Sequence, residues 1–310
     1  MTTYLVTGGA GFIGSHLVQA LLEQGARVRV LDNLTSGRLD NLAAVDGQYE
    51  LMTADVQDVS ACRDAVDGVE VVFHLAALAS VPASLAAPDN THQACLTGSL
   101  RMLDASRQQG VRRFILASSS SIYGNRNDQL QSESDLPAPE SPYAAAKLGA
   151  EHYCQAFYHS YGLETVSLRY FNVFGPRQDP ASEYAAVIPA FITAMLLGDS
   201  PVIYGDGTQT RDFTYVENVV HANLLAAGAR DAAGGIFNIA NGTSTSLLEL
   251  LDQLRNLLDQ STEPRHDPPR SGDVRHSRAD ISRAVEVLGY QPLTGLAEGL
   301  APTIEYYRSC

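Results

Sequence analysis

The chain has 310 residues, of which 45% are hydrophobic and 18% charged, and its formal net charge is −14 at pH 7. This length is sufficient for a large buried core and suggests about two domains. The acidic balance argues against nucleic acid and against an anionic membrane surface as partners. An anionic ligand would therefore have to be held by local clusters of arginine.

The remaining composition predicts a protein of the reducing cytoplasm. The N-terminus has no charged leader followed by an apolar stretch, and the longest apolar run, near Val187 to Leu197, is too short to cross a membrane. The four cysteines form no C-x-x-C pair and are expected to be free thiols. The eight histidines lack the spacing of metal ligands, so no metal site is predicted.

The first elements are a predicted strand, a glycine-rich turn and a predicted helix. The short apolar run Tyr4–Thr7 leads directly into glycines spaced G-x-x-G-x-x-G, and the helical pattern Ser15–Glu23 follows them. Backbone N–H groups at such a helix N-terminus can approach a pyrophosphate because the glycines have no side chains. The three glycines are Gly8, Gly11 and Gly14.

A second predicted strand, Arg27–Leu31, ends at Asp32, where dinucleotide-binding units have an acidic residue. A carboxylate at this point accepts hydrogen bonds from the adenosine ribose and repels a 2′-phosphate. The unit therefore predicts NAD, rather than NADP, as the cofactor.

Strand and helix patterns alternate through the first half of the chain, which predicts an α/β fold with a doubly wound parallel Rossmann sheet. The predicted strands are Tyr4–Thr7, Arg27–Leu31, Tyr49–Thr53, Val69–His74, Arg113–Ser118 and Thr165–Tyr170. The predicted helices are Ser15–Glu23, Val59–Val66, Asn90–Gln108 and Tyr143–Tyr161.

Beyond Gly175 the order is less regular, with helix-like segments at Leu247–Leu258 and Ile281–Leu288. We predict an NAD-binding Rossmann domain over residues 1–175, rejoined by a segment near residues 211–230. A smaller mixed α/β substrate-binding domain is predicted over residues 176–310.

A run of serines, Ser118 to Ser121, stands at the end of the predicted strand that begins at Arg113. This strand end lies at the mouth of the predicted cofactor cleft, where hydroxyl groups can hydrogen-bond a substrate oxygen. Serines are also ordinary turn residues, so the run alone does not establish a site.

The chain contains one lysine, Lys147, while its other basic side chains are arginines. Lys147 lies four residues after Tyr143, and residues with this spacing share a helix face. A nearby ammonium stabilises a phenolate and lowers the tyrosine pKa from about 10, which makes tyrosine a general base. Chance placement of the lysine is the alternative, and the pair alone does not decide between them.

Taken together, several separated motifs resemble the extended short-chain dehydrogenase/reductases, and among these the NAD-dependent nucleotide-sugar epimerases. The resemblance covers essentially the whole chain. Besides the glycines, it rests on Ser119, Tyr143-x-x-x-Lys147 and Arg169–Gly175. Within this family the chain looks most like the bacterial UDP-N-acetylglucosamine 4-epimerases, on the segments Tyr184–Pro189, Thr210–Phe213 and Gly272–Ser277.

The resemblance implies a mechanism in which Tyr143 takes the proton of the sugar 4-hydroxyl while Ser119 hydrogen-bonds that oxygen. NAD accepts the hydride of carbon 4 and returns it to the other face of the sugar. Lys147 is expected to hold the nicotinamide ribose and to favour the phenolate. Because NAD is regenerated in each cycle, we expect it to stay tightly bound.

The binding residues that follow from the resemblance form two sets. The cofactor set is Gly8, Gly11, Phe12, Ile13, Gly14, Asp32, Asn33, Ser36, Gly37, Asp55, Val56, Leu75, Ala76, Ala77, Tyr143, Lys147 and Tyr170. The UDP-sugar set is Ser80, Ser120, Ser121, Asn172, Ala186, Val187, Val202, Tyr204, Arg211, Arg270, Asp273 and Ser277. His74 is interpreted as a hydrogen-bonded structural residue.

The expected substrates are UDP-GlcNAc and UDP-GalNAc, with weaker activity on UDP-glucose and UDP-galactose. Relatives restricted to the plain sugars have a bulky aromatic at the position of Ser277, and Ala186 is also small. A roomy pocket admits the N-acetyl group, although an apolar pocket rejects smaller analogues poorly. The alternative is that Ser277 faces solvent.

Two positions depart from the family pattern: Cys95 stands where relatives have asparagine, and Ala79 where close relatives have glycine. Neither change removes a reacting group, so an active enzyme is expected. The resemblance also implies a homodimer packed through the helices predicted at Asn90–Gln108 and Tyr143–Tyr161. Their apolar faces could equally belong to the core.

Other activities remain as alternatives. A UDP-glucose 4-epimerase would use the same residues. A 4,6-dehydratase is disfavoured because Ser120 and Ser121 replace its usual Asp-Glu pair, and no cation is identified for a uronate carboxylate. An inactive NAD-sensing protein would be expected to lose Tyr143-x-x-x-Lys147, which this chain retains.

Overall fold

A computed structural model describes residues 2–125, 130–180, 186–269 and 274–309. Its strands are β1 (Thr3–Thr7), β2 (Arg27–Asp32), β3 (Glu50–Thr53), β4 (Val71–His74), β5 (Arg113–Ser119), β6 (Glu164–Tyr170), β7 (Val173–Phe174), β8 (Val202–Tyr204), β9 (Thr210–Arg211), β10 (Thr214–Tyr215), β11 (Gly235–Ile239), β12 (Thr245–Ser246) and β13 (Arg265–Asp267). Its α-helices are α1 (Phe12–Glu23), α2 (Val59–Ala65), α3 (Val81–Ala86), α4 (Pro88–His92), α5 (Gly98–Gln108), α6 (Pro142–Tyr161), α7 (Val187–Leu196), α8 (Val216–Gly228), α9 (Leu247–Leu258) and α10 (Leu296–Ser309).

Seven of the strands form one parallel sheet in the order β3-β2-β1-β4-β5-β6-β11. The strand order reverses between β1 and β4. In open α/β sheets, ligands bind outside the carboxyl ends of the strands at such a reversal. The predicted doubly wound parallel sheet is confirmed.

Helices cover both faces of this sheet. Adjacent residues of a strand point to opposite faces, so Leu5 and Val6 enter different cores, and both are fully buried. Helices α1 and α8 contribute to the core that contains Val6, whereas α2, α5 and α6 contribute to the one that contains Leu5. Burial on both faces explains the continuous apolar run Val71-Val72-Phe73 of the central strand β4.

A third core lies outside the sheet, between α7, α9 and α10. Phe191, Leu250 and Ile304 are buried there, one from each helix. Helix α8 nevertheless packs against α1, and β11 pairs with β6. The chain thus returns to the Rossmann sheet after β10. In the described part of the chain, no helix is long and apolar enough to cross a membrane.

The structure differs from the sequence prediction in two elements of the Rossmann domain. The seventh strand, β11, was missed because it is a short run that begins at the second of two glycines and pairs with a strand distant in sequence. The helix predicted at Asn90–Gln108 is interrupted by a π-helical turn at Gln93–Thr97. Ser99 Oγ donates to the Cys95 carbonyl at 2.6 Å, a side-chain bond that often bends helices.

The first residue of β5, Arg113, holds the end of α8 against the sheet. Its side chain is 2% exposed, and Nη1 donates to the carbonyls of Ala226 at 2.8 Å and Ala229 at 2.6 Å. Its Nε donates to Glu164 Oε2 at 3.0 Å. The carbonyls at the helix end thereby obtain the donors that the helix itself cannot supply.

We expect Arg113→Met to lower the free energy of unfolding by about 1–3 kcal/mol, because buried carbonyls are left without donors. The neighbouring Arg112, 43% exposed in its ion pairs, is the matched control, and Arg112→Met should cost less than about 1 kcal/mol. Urea unfolding followed by circular dichroism measures both values. Equal losses in the two variants would contradict the capping role of Arg113.

Candidate active site

A cavity of ≈ 840 Å³ opens at the carboxyl ends of β1, β2, β4 and β5, where the strand order reverses. Every residue of the predicted cofactor set lines this cavity. These residues are Gly8, Gly11, Phe12, Ile13, Gly14, Asp32, Asn33, Ser36, Gly37, Asp55, Val56, Leu75, Ala76, Ala77, Tyr143, Lys147 and Tyr170. The structure therefore brings the whole set together, although contact with a cofactor remains a prediction.

The glycine-rich turn has the geometry of a phosphate cradle. Gly8 has a φ of +69°, and a Cβ added at Gly14 would lie 2.1 Å from the Gly8 carbonyl oxygen. Helix α1 begins at Phe12, and no side chain caps its N-terminus at Gly11. The N–H groups of its first turn thus lack helical acceptors and suit the diphosphate of a dinucleotide.

Asp32 is 6% exposed and is held by two backbone donors. Its Oδ2 accepts from Ala10 N at 2.9 Å, and its Oδ1 accepts from Leu34 N at 2.8 Å. A carboxylate has about four acceptor sites, so capacity remains for ribose hydroxyl groups. Beside it, Asn33 Nδ2 donates to Asp55 Oδ2 at 2.7 Å.

Tyr143 and Lys147 point from the first turns of α6 towards the end of β5. Pro142 occupies the first helical turn, and Ser141 Oγ accepts from Ala144 N at 3.2 Å, so the helix begins directly before Tyr143. Lys147 Nζ donates to the Ala117 carbonyl at 2.8 Å and lies 5.9 Å from the centre of the Tyr143 ring.

Ser119, the last residue of β5, completes this cluster. Its Oγ accepts a hydrogen bond from Ser121 N at 3.2 Å, and Ser119 is also hydrogen-bonded to Tyr143. The bond to Tyr143 lowers the phenol pKa, as expected when the serine hydroxyl donates to the tyrosine oxygen. The three predicted catalytic side chains are therefore adjacent.

The pKa of Tyr143 differs from the prediction. Burial raises it above the ordinary value for tyrosine, and the hydrogen bond from Ser119 opposes that rise only in part. The prediction that Lys147 pulls this pKa down is wrong for this structure. Burial also lowers the pKa of Lys147, because a buried site penalises the charged form of either group.

The interpretation of His74 as a hydrogen-bonded structural residue is confirmed. Its Nδ1 lies 2.8 Å from Thr7 Oγ1, and its Nε2 lies 2.9 Å from Ser99 Oγ. Burial lowers the pKa of His74 to about 3, so its ring is neutral at physiological pH.

The predicted substrate residues near the strand ends fall around the catalytic cluster. Ser80 lines the cavity, and its Oγ accepts from Ala83 N at the start of α3. The buried Oγ of Ser121 has no hydrogen-bond partner in the described part of the chain, and Ser120 precedes it in the same short helical turn. Asn172, with a φ of +31°, donates from Nδ2 to the Asp212 carbonyl at 3.2 Å.

The remaining substrate candidates lie on the smaller core. Arg211 is in β9, and its Nη1 donates to the Arg275 carbonyl at 3.2 Å. Ser277 is 6% exposed, and its N–H donates to the Thr210 carbonyl, which brings it beside Arg211. The alternative that Ser277 faces solvent is thereby contradicted. Arg270 and Asp273 lie outside the described residues.

Four further candidates lie at the start of α7 and in β8. Ala186 and Val187 are at the N-terminus of α7, whereas Val202 and Tyr204 are in β8, which pairs with β13. Of the substrate set, as far as the structure describes it, Ser80 alone lines the cofactor cavity. The other positions therefore remain predictions.

Sequence reasoning missed Arg38, Asn41, Arg177 and Asp179, which also line the cavity. Arg38 Nη2 lies 3.1 Å from Asp179 Oδ2. Arg177 has a φ of +67°, and its Nη2 donates to Gln19 Oε1 at 2.7 Å. The signal available in the sequence was that arginines directly follow Gly37 and Pro176, beside motifs already recognised.

Comparison with known proteins gives similarity over the whole chain. A model of the NAD dependent epimerase/dehydratase family matches residues 4–240. The UDP-glucose 4-epimerase of Mycolicibacterium smegmatis is 42% identical over 310 residues, covering 98% of each chain.

Two solved structures extend this similarity to the fold. UDP-N-acetylglucosamine 4-epimerase from Methanobrevibacter ruminantium, in complex with UDP-N-acetylmuramic acid, is 41% identical with a TM-score of 0.95, covering 99% of this chain and 98% of that one. UDP-glucose 4-epimerase from Thermus thermophilus, in complex with NAD, is 36% identical with a TM-score of 0.92, covering 100% of both. The names of these relatives specify different sugar substrates.

We expect Gly14→Ala to weaken dinucleotide binding at least about tenfold, because the added methyl must displace the Gly8 carbonyl and open the turn. Gly228→Ala is the matched control, since a Cβ there meets nothing within 4 Å. Calorimetric titration of each protein, freed of bound nucleotide, with NAD measures the effect. Equal affinities in the two variants would refute the cradle assignment.

Proposed function

This chain belongs to the NAD dependent epimerase/dehydratase family, and we propose that within it the protein is a 4-epimerase that interconverts UDP-GlcNAc and UDP-GalNAc. The observation that carries this proposal is that Tyr143 and Lys147 line a cavity of ≈ 840 Å³, with Ser119 at the end of the adjoining strand hydrogen-bonded to Tyr143. Relatives named as nucleotide-sugar 4-epimerases support the reaction. The choice of the N-acetylated sugars is the more specific part of the proposal.

The residues around the cavity fit NAD. The first turn of α1 suits its diphosphate, Asp32 its adenosine ribose, and Lys147 its nicotinamide ribose. The chemistry that NAD supplies when bound is reversible acceptance of the hydride at sugar carbon 4. Tyr170, Leu75 and the other lining residues would exclude water from that point.

The chain's own contribution is to hold and move one proton. The Tyr143 oxygen takes the proton of the sugar 4-hydroxyl and returns it in the reverse direction. Ser119 is hydrogen-bonded to Tyr143, so its hydroxyl would also reach the sugar oxygen that exchanges the proton. Lys147, 5.9 Å from the centre of the Tyr143 ring, would hold the nicotinamide ribose beside that oxygen.

We assign the UDP group to the side of the site that bears Arg211. Arg211 would neutralise the diphosphate with Asn172, and Arg270, outside the described residues, is assigned the same role from the sequence. Asp273 would accept from the uridine ribose. The uracil would pack against apolar or aromatic side chains, namely Val187, Val202 and Tyr204. The unpartnered Oγ of Ser121, with Ser120 and Ser80, would hydrogen-bond the sugar.

The preference for acetylated sugars rests on Ser277 and Ala186. Ser277 is buried beside Arg211, and its small side chain would leave space for the N-acetyl group if the sugar binds there. The similarity to the Methanobrevibacter enzyme supports this choice. The similarity to the Mycolicibacterium enzyme favours a second activity on UDP-glucose and UDP-galactose, which the same groups would catalyse.

We further propose a cytoplasmic homodimer. Cys62, Cys95 and Cys154 are buried free thiols, which suits a reducing compartment. Tyr153 on the outer face of α6 is 38% exposed, as a residue available to a second copy would be. Light scattering of the purified protein tests the dimer, since a monomer mass would exclude it.

The first test is to incubate the purified protein with UDP-GlcNAc, without added NAD, and to follow the anomeric protons by NMR. We expect UDP-GalNAc to accumulate, and Tyr143→Phe to reduce the rate at least about 10²-fold because the proton-transfer group is lost. The variant should keep its NAD and its affinity for UDP-GlcNAc. Absence of product, with NAD added and with UDP-glucose also tried, would refute the epimerase.

A second test addresses the sugar. Ser277→Tyr should lower kcat/KM for UDP-GlcNAc at least about tenfold relative to UDP-glucose, because the phenol fills the space assigned to the N-acetyl group. Ser277→Ala is the control and should leave that ratio unchanged. Steady-state rates on both sugars give the ratio, and an unchanged ratio in the tyrosine variant would contradict the assignment of Ser277.

A further inference from the structure

The end of β5 is held against α6 by three successive residues. The Ala117 carbonyl accepts from Lys147 Nζ at 2.8 Å, and Ser118 Oγ donates to Glu151 Oε1 at 2.5 Å. The third contact is the catalytic pair of a serine and a tyrosine described above. The middle contact, through Glu151, therefore lies between the two that the reaction uses.

Glu151 belongs to the same helix face as the catalytic residues. Tyr143, Lys147 and Glu151 follow one another at intervals of four residues, so they lie on successive turns of one face of α6. The mechanism gives Glu151 no role, yet its carboxylate is among the most completely buried charges of the described chain, with 1% of its side chain exposed.

The partner of Glu151 is Arg169, whose side chain is 3% exposed. Arg169 donates from Nε to Oε1 at 2.9 Å and from Nη2 to Oε2 at 2.8 Å, a bidentate pair. Arg169 lies in β6 directly opposite Ser118 in the β5–β6 ladder. Two neighbouring strands thus direct their side chains at the same carboxylate of α6.

The far side of Arg169 is equally constrained. Its Nη1 donates to the Tyr123 hydroxyl at 2.8 Å, and that hydroxyl donates to Asn238 Oδ1 at 2.7 Å. Asn238 lies opposite Arg169 in the β6–β11 ladder. A hydrogen-bonded polar row therefore crosses three adjacent strands, from Ser118 through Arg169 to Asn238, beneath α6.

Stability alone does not account for this row. Replacing a buried ion pair with apolar residues of similar volume is often neutral or stabilising, because desolvation offsets the attraction between the charges. What the ion pair adds over apolar packing is direction, since its bidentate geometry admits one arrangement of the two planar groups. The directed group here is the carboxylate that receives the Ser118 hydroxyl.

We propose that Glu151 and Arg169 are positioning residues, which fix the end of β5 against α6 and so set the contact between Ser119 and Tyr143. This inference rests on the proposed function, because it assumes that this contact carries the proton transfer. The pair acts through Ser118, one residue before Ser119. Neither charged group reaches the reacting atoms.

The pair also acts on the charge of Lys147. The titratable groups that face Lys147 in the described chain are Tyr143, Cys95 of the π-helical turn, His74 of β4, and Glu151 and Cys154 of its own helix. Among these Glu151 is the carboxylate, and it raises the pKa of Lys147 against the effect of burial. Loss of Glu151 would shift the deprotonation of Lys147 to lower pH.

The test is the double variant Glu151→Met with Arg169→Met, which removes both charges and leaves neither unpaired. Because a misplacement of about 1 Å can reduce a rate about 10²-fold, we expect kcat to fall by about that factor. The melting temperature, NAD content and KM for the UDP-sugar should stay close to those of the parent. The alkaline limb of the pH–kcat profile should move to lower pH.

Two controls separate positioning from a general structural defect. The double variant Arg113→Met with Glu164→Met removes a similar pair at the opposite end of β5 and β6, and it should lower the melting temperature without changing kcat. Ser118→Ala keeps the ion pair and removes only the link to β5, so it should reproduce part of the loss in kcat. Ser118→Ala also tests the proposal if the Glu151→Met/Arg169→Met variant does not fold.

The inference is overturned if the Glu151/Arg169 variant, or Ser118→Ala where that pair does not fold, retains the parent kcat and pH profile. A parallel loss of NAD content and substrate affinity would also overturn it. If the parent itself converts no UDP-sugar, the proposed function fails and crystal structures decide the positioning claim. Unchanged positions of Ser119 and Tyr143 in the crystal structure of the variant would then refute the positioning claim.

Discussion

All strands of a parallel sheet end at the same edge, and this constraint obliges the polar groups buried there to find hydrogen-bond partners within the protein. The surroundings of His74 illustrate it. Ala76 N donates to Thr7 Oγ1, and Ser99 Oγ donates to the Cys95 carbonyl. The Thr7 hydroxyl therefore donates to His74 Nδ1, and His74 Nε2–H donates to Ser99. Because burial keeps the ring neutral, a single tautomer connects the glycine-rich turn to the π-helical turn.

Burial also opposes the proposed role of Tyr143 as a base, because it disfavours the phenolate. The raised pKa of Tyr143 makes its phenolate scarce, and each pKa unit reduces the phenolate population tenfold. The local group that lowers this pKa is the Ser119 hydroxyl, while the Lys147 ammonium lies 5.9 Å from the ring centre. The Ser119 contribution depends on the distance between the end of β5 and helix α6, whereas Tyr143 and Lys147 both belong to α6. The positions of these two elements therefore govern the chemistry, and a rigid polar row behind them has a physical purpose.

The cofactor half of the site could be predicted from the sequence because its determinants are local. The spacing of Gly8, Gly11 and Gly14 and the position of Asp32 fix a strand–turn–helix–strand unit without reference to the rest of the chain. Features that depend on distant partners were not predictable. Arg177 lines the cavity because the carbonyl of the preceding residue and its own side chain are held by α1, an arrangement with no sequence pattern. The pKa of Tyr143 likewise follows from its depth in the fold, which a four-residue spacing does not encode.

The loops around the proposed substrate residues are held by a buried carboxylate, that of Asp212, which accepts hydrogen bonds from backbone N–H groups. Asp212 accepts from Asn241 N at 3.0 Å and from Ala279 N at 3.1 Å, while its own carbonyl accepts from Asn172. Burial raises the pKa of Asp212 to about 7, and the backbone donors oppose that rise. Its neighbour in sequence, Arg211, is one of the residues assigned to the diphosphate. Adjacent residues of one short segment would thus serve opposite purposes, because Asp212 accepts from backbone donors while Arg211 is proposed to donate to the ligand. The two residues could not exchange these roles, because backbone N–H groups require an acceptor and a diphosphate requires a donor.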